Sequence, residues 1–311
     1  MDINKQEVKA MVRLLDDEDR EVSSLVYDKL VSLERQILPE LERILSEEDH
    51  DELVHGQVGG VISEIRMKGQ VEAFTEWAQN RSHDLFEGVF LVAKYRYPEL
   101  ERQRLLNKVD ELKLEAWLDF HNKLSSLEKI DILNHVFFEK HKFRGDHESY
   151  FSPANSYLNT VIERRRGIPI TMSVLYSLVA QRLNLPVFGV NMPHHFILAY
   201  MDDSNQREKY YFQERNQLQD PGTGEVLFYI NPFEQGSVFS KTSIDQYLAK
   251  TNLQPRPSYY HPCDNITIVA RILRNLIFAY DRLQERLRMQ ELKAIYQALE
   301  PFQPSEKEDD R

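Results

Sequence analysis

The residue types best suited to chemistry lie within residues 150–200 and shortly after them. Thr171 stands at the predicted start of a helix, His195 on the strand that follows, and Asn231 at the end of a later strand. A helix N-terminus lowers the pKa of a thiol, a histidine on an adjacent strand can act as a base, and a third polar side chain can orient it. This order of elements is the layout of a Cys-His-Asp hydrolase or acyltransferase.

Other motifs for catalysis or ligand binding do not occur in the sequence. The 311 residues contain no Gly-rich dinucleotide loop, no phosphate-binding loop and no HExxH zinc motif. His194 and His195 are adjacent, and on one strand they would point to opposite faces, which does not suit ligation of one metal ion. We therefore predict no metal site and no cofactor.

Cys263 is the single cysteine of the sequence. A single cysteine forms no internal disulfide and no zinc site built on cysteine pairs, which fits a reducing compartment.

Residues 1–10 mix charges without an apolar core, so they do not predict a secretory signal. No apolar run approaches the roughly 20 residues that span a bilayer. We predict a soluble cytoplasmic protein without membrane contacts.

The charge balance bears on the class of partner. A formal net charge of -11 at pH 7 argues against a nucleic-acid binder, whose phosphate contacts need a basic face. Arg164, Arg165 and Arg166 form a local basic run at a predicted helix end, followed by Gly167. Cations there favour the helix dipole, and the glycine can take the left-handed terminating conformation. We expect helix-end charges in solvent, with an anion-binding module as the alternative, and keep the three arginines and His194 as candidate binding residues.

Helices fill the first 121 residues. Apolar residues at helical spacing within 5–45 predict two helices and a third segment that begins near Pro39. This arrangement resembles one HEAT-type repeat unit, with an ordinary helical bundle as the alternative. Further helices are predicted over 55–77 and as a pair within 85–120.

The middle of the chain predicts helices followed by a sheet. Ser126 and Lys129 do not form a capping box, which leaves the start of the helix near residue 127 open. Ser152 is predicted to cap a helix that begins at Pro153, and Thr171 to cap the next one. Successive strands favour an antiparallel sheet. The predicted strands are 186–190, 195–201, a short one within 209–213, and 225–233.

The segment NSYLNTVIERRRGIPITMSVLYSLVAQRLNLPVFGVNMPHHFILAY, with YINPF after it, resembles the transglutaminase-like superfamily. Within it, the sequence is most similar to the bacterial SirB-type branch, with its RRGIPI-type turn, P-x-H-F motif and D-P-F motif. The resemblance covers roughly residues 85–301. It implies a helix-rich α+β fold: a helical N-terminal region, a papain-like core in which a helix packs on an antiparallel sheet, and a C-terminal helical hairpin similar to tetratricopeptide helices.

This interpretation divides the chain into four parts. They are a helical N-terminal region over 1–121, a transglutaminase-like core over 122–262, tetratricopeptide-like helices over 263–301, and a disordered acidic tail over 302–311.

The resemblance also assigns site residues. It matches His195 to the catalytic histidine of the superfamily and Asn231 to a position that usually holds aspartate. The cysteine of the superfamily would fall at residues 169–171, where this sequence has none. Asparagine can still orient an imidazole, but the Thr171 hydroxyl has a far higher pKa than a thiol. We interpret His195, Asn231 and Thr171 as the remnant of an inactive site.

The sequence therefore favours a non-catalytic transglutaminase-like protein that binds another protein or a peptide. We expect the imidazole of His195 to be buried and satisfied by the backbone or by Asn231. The alternative is an acyl-transfer or hydrolytic enzyme in which Cys263 or Thr171 replaces the missing nucleophile. That alternative predicts a lowered pKa for Cys263, or a hydrogen bond between Thr171 and His195.

Overall fold

A computed structural model describes residues 5–46, 52–202 and 224–304. The chain divides into two compact units, Met1–Ala73 and Phe74–Arg311. The predicted strand within 209–213 and most of the predicted acidic tail lie outside the described residues.

The first unit is built from amphipathic helices. They are α1 (Lys5–Leu14), α2 (Arg20–Ser32), α3 (Leu38–Ser46) and the first part of α4 (Glu52–Asn80). Asp19 caps α2, because its carboxylate accepts a hydrogen bond of 2.9 Å from the backbone N–H of Glu21. One apolar core joins the helices, and its buried members are Val8, Val12, Leu15, Leu30, Val31, Ile37, Leu41, Ile44, Val58, Val61, Ile62 and Ile65. The similarity to a HEAT-type unit stays a prediction.

The second unit combines helices with a sheet. Its helices are α5 (Leu85–Arg96), α6 (Arg102–Trp117), α7 (Ser126–Asn134), α8 (Leu158–Arg164), α9 (Pro169–Arg182), α10 (Lys241–Lys250), α11 (Asn265–Arg282) and α12 (Arg286–Leu299). A wide π-helical turn over His135–Lys140 continues α7. The last two helices pack along each other as the predicted C-terminal hairpin.

Four strands of the described residues form an antiparallel sheet, as predicted. They lie side by side in the order β3 (Val187–Met192), β4 (His195–Met201), β5 (Val226–Asn231) and β6 (Ser237–Phe239). Two shorter strands, β1 (Arg144–Gly145) and β2 (Arg166–Gly167), form a separate parallel pair. The sequence did not predict β6, because three residues are too few for the alternating pattern to show.

Different helices cover the two faces of this sheet. Ile197 and Ala199 of β4 pack with Ile244 and Leu248 of α10 in one apolar cluster. Side chains alternate along a strand, so Phe196 points to the other face, where it and Ile268 of α11 both lie against β3. The core helix α9 also packs on β3 and β4, outside the α10 cluster. The papain-like arrangement of a helix on an antiparallel sheet is confirmed.

The helices of residues 85–117 belong to the second unit. The sequence placed them in the N-terminal region, but α5 packs on α11 and α6 packs on α9. The reason lies in α5, which buries eight of its residues instead of a single stripe. A helix that is apolar on most of its surface must be enclosed by other elements.

Two helix starts differ from the predictions. Helix α7 begins with a capping box one residue before the serine considered in the sequence: Ser125 Oγ accepts from the backbone N–H of Glu128 at 3.3 Å, and the Glu128 carboxylate accepts from the backbone N–H of Ser125 at 2.8 Å. The helix predicted from Pro153 is a 3-10 turn over Pro153–Ser156, and α8 begins only at Leu158. The side chain of Ser152 makes no capping bond.

The end of α8 also differs from the prediction. Arg165, and not Gly167, takes the left-handed conformation that ends the helix, with φ of 57°. Gly167 lies in β2, opposite Gly145. A Cβ atom on Gly167 would lie 2.9 Å from Oγ1 of Thr171, so this glycine serves the close approach of β2 to α9.

Candidate functional site

His195 lies at the exposed rim of the sheet. It is the first residue of β4, and its ring meets the ring of Tyr247 edge-to-face with centroids 4.8 Å apart. The Tyr247 hydroxyl donates a hydrogen bond of 3.1 Å to the carbonyl of Pro193 in the preceding turn. Within the described residues, the imidazole has no hydrogen-bond partner. The expectation of a buried histidine satisfied by the backbone or by Asn231 is therefore wrong.

His194 does not share the strand. It occupies the two-residue turn between β3 and β4 with φ of 60°, a left-handed conformation that non-glycine residues adopt rarely. The expectation that His194 and His195 lie on opposite faces of one strand is wrong, because the register pairs Met192 with His195 and leaves Pro193 and His194 in the turn.

The electrostatic surroundings of His195 favour its neutral form. Partial burial lowers the pKa of the imidazole most, followed by the positive charges of Arg271 and His194, while Glu234 acts in the opposite direction. A neutral imidazole is the form that accepts a proton. His195 thus has the protonation state of a general base. To act as one, its imidazole must also lie within hydrogen-bond distance of the group whose proton it removes.

Arg271 of α11 links this helix to the end of β3, and it was not among the predicted site residues. Its Nη1 donates 2.7 Å to the carbonyl of Met192 and also to Oδ1 of Asn191, while its guanidinium lies over the ring of Phe196 at 5.6 Å. Burial lowers its pKa to about 10, so it stays charged near neutral pH. The sequence contained one indication of this role, because Arg271 is a cation among the apolar residues of α11.

Asn231 lies on the same sheet face as His195, but its side chain caps a turn and does not orient the imidazole. The register pairs Leu198 with Ile230, so Asn231 follows on the face that carries Ile197 and His195. Its side-chain Oδ1 accepts the backbone N–H of Phe233 at 3.2 Å and caps the short turn after β5. The structure thus brings these two predicted residues to neighbouring strands without a hydrogen bond between them.

Thr171 is buried and its hydroxyl is committed to the backbone. Oγ1 donates a hydrogen bond of 2.6 Å to the carbonyl of Asn155 and accepts the N–H of Ile168 at 3.2 Å. Because α9 begins at Pro169, Thr171 is its third residue and not its cap as predicted. The hydrogen bond between Thr171 and His195, one of the two options that the enzyme alternative predicts, is not formed.

Cys263 lies beside the edge strand β3. Its backbone N–H donates 2.8 Å to the carbonyl of Gly189. Burial first, and the charge of Asp264 second, raise the pKa of the thiol to about 12, against a lowering by Arg271. The prediction of a lowered pKa for Cys263, one of the two that the enzyme alternative makes, is therefore wrong, and the thiol is protonated at neutral pH.

The three consecutive arginines have different surroundings. Arg164 forms an ion pair of 3.2 Å with the buried Asp146 and donates to Oδ1 of Asn155 at 2.9 Å. Arg165 and Arg166 are exposed, and neither side chain has a partner in the described part of the chain. Arg164 is therefore a structural cation, and only its two neighbours resemble the expected helix-end charges in solvent.

An exposed aromatic surface lies close to Arg271. It consists of Tyr150, Phe151, Phe278 and Arg282. The first three side chains are 36%, 47% and 49% exposed. The Arg282 guanidinium lies 4.4 Å from the ring centre of Phe151, which is 5.4 Å from that of Phe278. Burial raises the pKa of Tyr150 and the charge of Arg271 lowers it, so one guanidinium acts on both Tyr150 and His195.

The described residues contain neither a candidate metal centre nor a candidate membrane span. No group of three or more His, Cys, Asp or Glu side chains there is placed to hold a metal ion. None of the described helices is long and apolar enough to cross a membrane.

Comparisons with known proteins agree with the resemblance in the sequence. The sequence model of a family described as the transglutaminase-like superfamily matches residues 103–274. A UPF0162 protein of Xylella fastidiosa is 30% identical over 210 residues, which cover 63% of this chain and 64% of that protein. A UPF0162 protein of Vibrio cholerae is 23% identical over 226 residues, covering 71% and 76%. The match thus spans somewhat less than two thirds of the Xylella protein.

A shorter similarity extends to animals. F-box only protein 21 of Homo sapiens is 41% identical over 71 residues, which make up 23% of this chain and 11% of that protein. No solved structure gives a significant match. The assignment to the SirB-type branch stays a prediction.

Proposed function

Because the chain belongs to the transglutaminase-like superfamily, we propose that it keeps the scaffold of an acyl-transfer enzyme and uses it to bind a protein or peptide. One observation carries this proposal: the described residues offer His195 no nucleophile. The Thr171 hydroxyl is bonded to the carbonyl of Asn155, and the Cys263 thiol has a pKa of about 12.

The magnitude of that pKa argues against Cys263 as a substitute nucleophile. With a pKa of about 12, a thiol is ionised to roughly one part in 10⁵ at pH 7. Reactive cysteines of this chemical class have pKa values of roughly 3.5–7.5, because a helix N-terminus or a cation stabilises the thiolate. Arg271 acts on Cys263 in that direction, but burial and Asp264 outweigh it.

The aromatic surface is the place where we expect the partner. Arginine and large aromatic side chains dominate the energetics of protein interfaces. Here Arg282 stacks on Phe151 and leaves its charge exposed, and Arg271 adds a second cation nearby. Two cations beside exposed rings fit an acidic peptide segment with an aromatic or apolar residue. The C-terminal hairpin supplies Phe278 and Arg282, which supports the predicted role for the tetratricopeptide-like helices.

We further propose that this role is exercised in the cytoplasm. The single cysteine, which has no partner for an internal disulfide, supports a reducing compartment.

Selection from a displayed peptide library tests the proposal. The full chain is expected to enrich peptides with acidic residues next to an aromatic one. Arg282→Gln and Phe151→Ala are each expected to weaken a selected peptide at least tenfold, because they remove the charge and the ring it stacks on. Trp117→Ala is the control, since Trp117 is 56% exposed and lies outside the aromatic surface.

Two results would count against this proposal. One is enrichment of peptides without an acidic bias. The other is equal binding by Arg282→Gln, Phe151→Ala and Trp117→Ala, which would place the peptide elsewhere on the molecule.

A further inference from the structure

We propose a second binding site, for a small organic carboxylate, in a cavity between α6 and the end of α8. The cavity has a volume of about 300 Å³. Ligand sites of proteins have volumes of about 300–1,000 Å³, so this one suits a molecule of about ten non-hydrogen atoms. It shares no lining residue with the region around His195, and the inference does not depend on the proposed peptide binding.

The floor of the cavity is apolar. Leu105 and Leu112 of α6 line it together with Phe143, and all three side chains are buried. Ile162 of α8 lines it from the facing helix. A hydrocarbon group gives up no hydrogen bonds when it moves from water into such a lining. The body of the ligand is therefore expected to be apolar.

One buried polar group in the cavity has no partner. Asn159 of α8 lines it and is only 7% exposed, yet its Oδ1 has no hydrogen-bond donor among the described residues. Buried polar atoms are satisfied in the great majority of cases, and an unsatisfied one needs an explanation. A ligand that carries an O–H or N–H group would supply the missing donor.

Two unpaired guanidinium groups also line the cavity. Arg104 of α6 and Arg165 at the end of α8 have no side-chain partner in the described part of the chain. By contrast, the Lys108 ammonium lies 2.9 Å from the Glu111 carboxylate, which neutralises it. Glu163 is the remaining carboxylate without a partner among those residues. The unpaired charges thus sum to one positive charge, which fits a ligand with a single negative charge.

The backbone of Arg165 adds to the selectivity of this arrangement. The residue is left-handed with φ of 57°, at a helix end where glycine is usual. Its carbonyl accepts the N–H of Arg144 at 3.0 Å, which fixes the conformation. A glycine would fit the backbone with less strain but could not offer a cation to the cavity.

The expected ligand therefore combines three features: a carboxylate for the two arginines, an apolar body for the leucines and Phe143, and a hydrogen-bond donor for Asn159. Planar guanidinium groups bind carboxylates through paired hydrogen bonds, which distinguishes them from a lysine. A flexible hydroxy acid of six carbons has all three features and is the probe that we choose.

Calorimetric titration of the full chain tests the three features separately. We expect 6-hydroxyhexanoate to bind most tightly. Hexanoate lacks the donor and should bind about threefold to tenfold more weakly. The compound 1,6-hexanediol lacks the charge and should bind at least tenfold more weakly, because both guanidinium groups lose their partner. Equal affinity of the diol and the hydroxy acid would overturn the proposal, as would no heat with any of the three.

Substitutions locate the site. Arg104→Gln and Arg165→Asn should each weaken 6-hydroxyhexanoate at least fivefold, and asparagine tolerates the left-handed backbone at residue 165. Both side chains are exposed, so the variants are expected to fold. Arg166→Gln is the matched control, because Arg166 is the exposed neighbour that does not line the cavity. An equal loss in all three variants would mean a general charge effect and would overturn the assignment to this cavity.

Discussion

The chemistry open to His195 depends on what its ring can reach. Its pKa is lowered, and it lies at a strand start as a general base would. Yet its ring contact is Tyr247, and Tyr247 uses its own hydroxyl on Pro193. The base-like protonation state follows from partial burial and from the cation of Arg271. It is therefore a consequence of packing and needs no substrate to explain it.

The reactivity of Cys263 is a first prediction. Its alkylation by iodoacetamide is expected to be slow near pH 8 and to rise toward pH 12 without an inflection near 8.5, because the thiol has a pKa of about 12 in the folded protein. Alkylation rates measured by mass spectrometry over this pH range check it. In urea, the same cysteine should react as an ordinary thiol. An inflection below pH 8 in the folded state would contradict the expectation.

The titration of His195 is a second prediction. Its pKa should lie below the ordinary 6.5, fall further in Glu234→Gln and rise in Arg271→Gln, since Glu234 favours the charged imidazole and Arg271 disfavours it. NMR titration of the ring proton measures all three values, with Glu300→Gln as the unchanged control. Shifts of the same sign in both variants would contradict it.

The same shift sets the sign of a pH effect on stability. The folded protein binds a proton at His195 less readily than the unfolded chain does. The contribution of this group to the free energy of unfolding is therefore fully present above pH 6.5 and declines as the pH falls through and below that value.

Residue identities in the candidate site were predictable, and their contacts were not. Local pattern placed His195 at a strand start and Asn231 at a strand end, because the periodicity of strands is visible in sequence. The ring contact of His195 comes from Tyr247, which is 52 positions away along the chain. The hydrogen-bond partner Met192 likewise lies far from Arg271 along the chain. A local sequence pattern therefore could not predict this contact.

At the scale of elements, helix α9 shows how the first turn of a helix can exclude a nucleophile. Its third residue, Thr171, bonds both to Ile168 within the turn and to Asn155 outside it. Its surroundings are backbone groups and buried side chains, while His195 lies at the rim of the sheet face that α10 covers. The described contacts of Thr171 and of His195 share no residue, so these two elements do not bring a nucleophile and a base together.

The capping box of α7 is a third prediction. Ser125→Ala should lower the free energy of unfolding by about 1 kcal/mol, because it leaves the backbone N–H of Glu128 without its acceptor. Ser126→Ala is the matched control and should change stability by less than about 0.5 kcal/mol. Urea unfolding curves of the two variants check this. Equal losses would show that the helix starts elsewhere.

Helix starts illustrate the limits of prediction at this scale. The pair Ser125 and Glu128 has the spacing of a capping box, so the start of α7 was predictable from the sequence. The end of α8 was not predictable in the same way, because glycine favours the left-handed conformation and Arg165 takes it instead. At the end of α8, the pairing of β2 with β1 at Gly167 determines the backbone conformation of Arg165.

At the scale of the whole molecule, the chain consists of two compact units that meet in sequence within α4. The antiparallel sheet, the core helix and the C-terminal hairpin were predictable, since each has a clear period and the motifs resemble a known superfamily. The unit boundary was harder to predict. Residues 85–96 look like one more helix of an all-helical region, and only their almost complete burial reveals that the second unit encloses them.

Independence of the two units is a fourth prediction. Leu41 is fully buried in the core of the first unit, so Leu41→Ala should destabilise that unit by about 2–5 kcal/mol. Hydrogen exchange should then increase over residues 5–46 and remain unchanged over 187–201. Leu248→Ala, in the cluster under the sheet, should give the reverse pattern. Equal loss of protection in both regions would contradict two separate units.

We propose that this scaffold binds a partner without reacting with it, and intact-protein mass spectrometry distinguishes the two possibilities. Wild-type protein, His195→Ala and Thr171→Cys are incubated with an acetyl thioester and with a glutamine-containing peptide plus an amine. We expect equally slow covalent modification of all three, because the side chain at position 171 has no contact with His195 and the Cys263 thiol is protonated. Modification of one residue in the wild type at least 100-fold faster than in His195→Ala would contradict it, because positioned general bases contribute about 10²–10⁴.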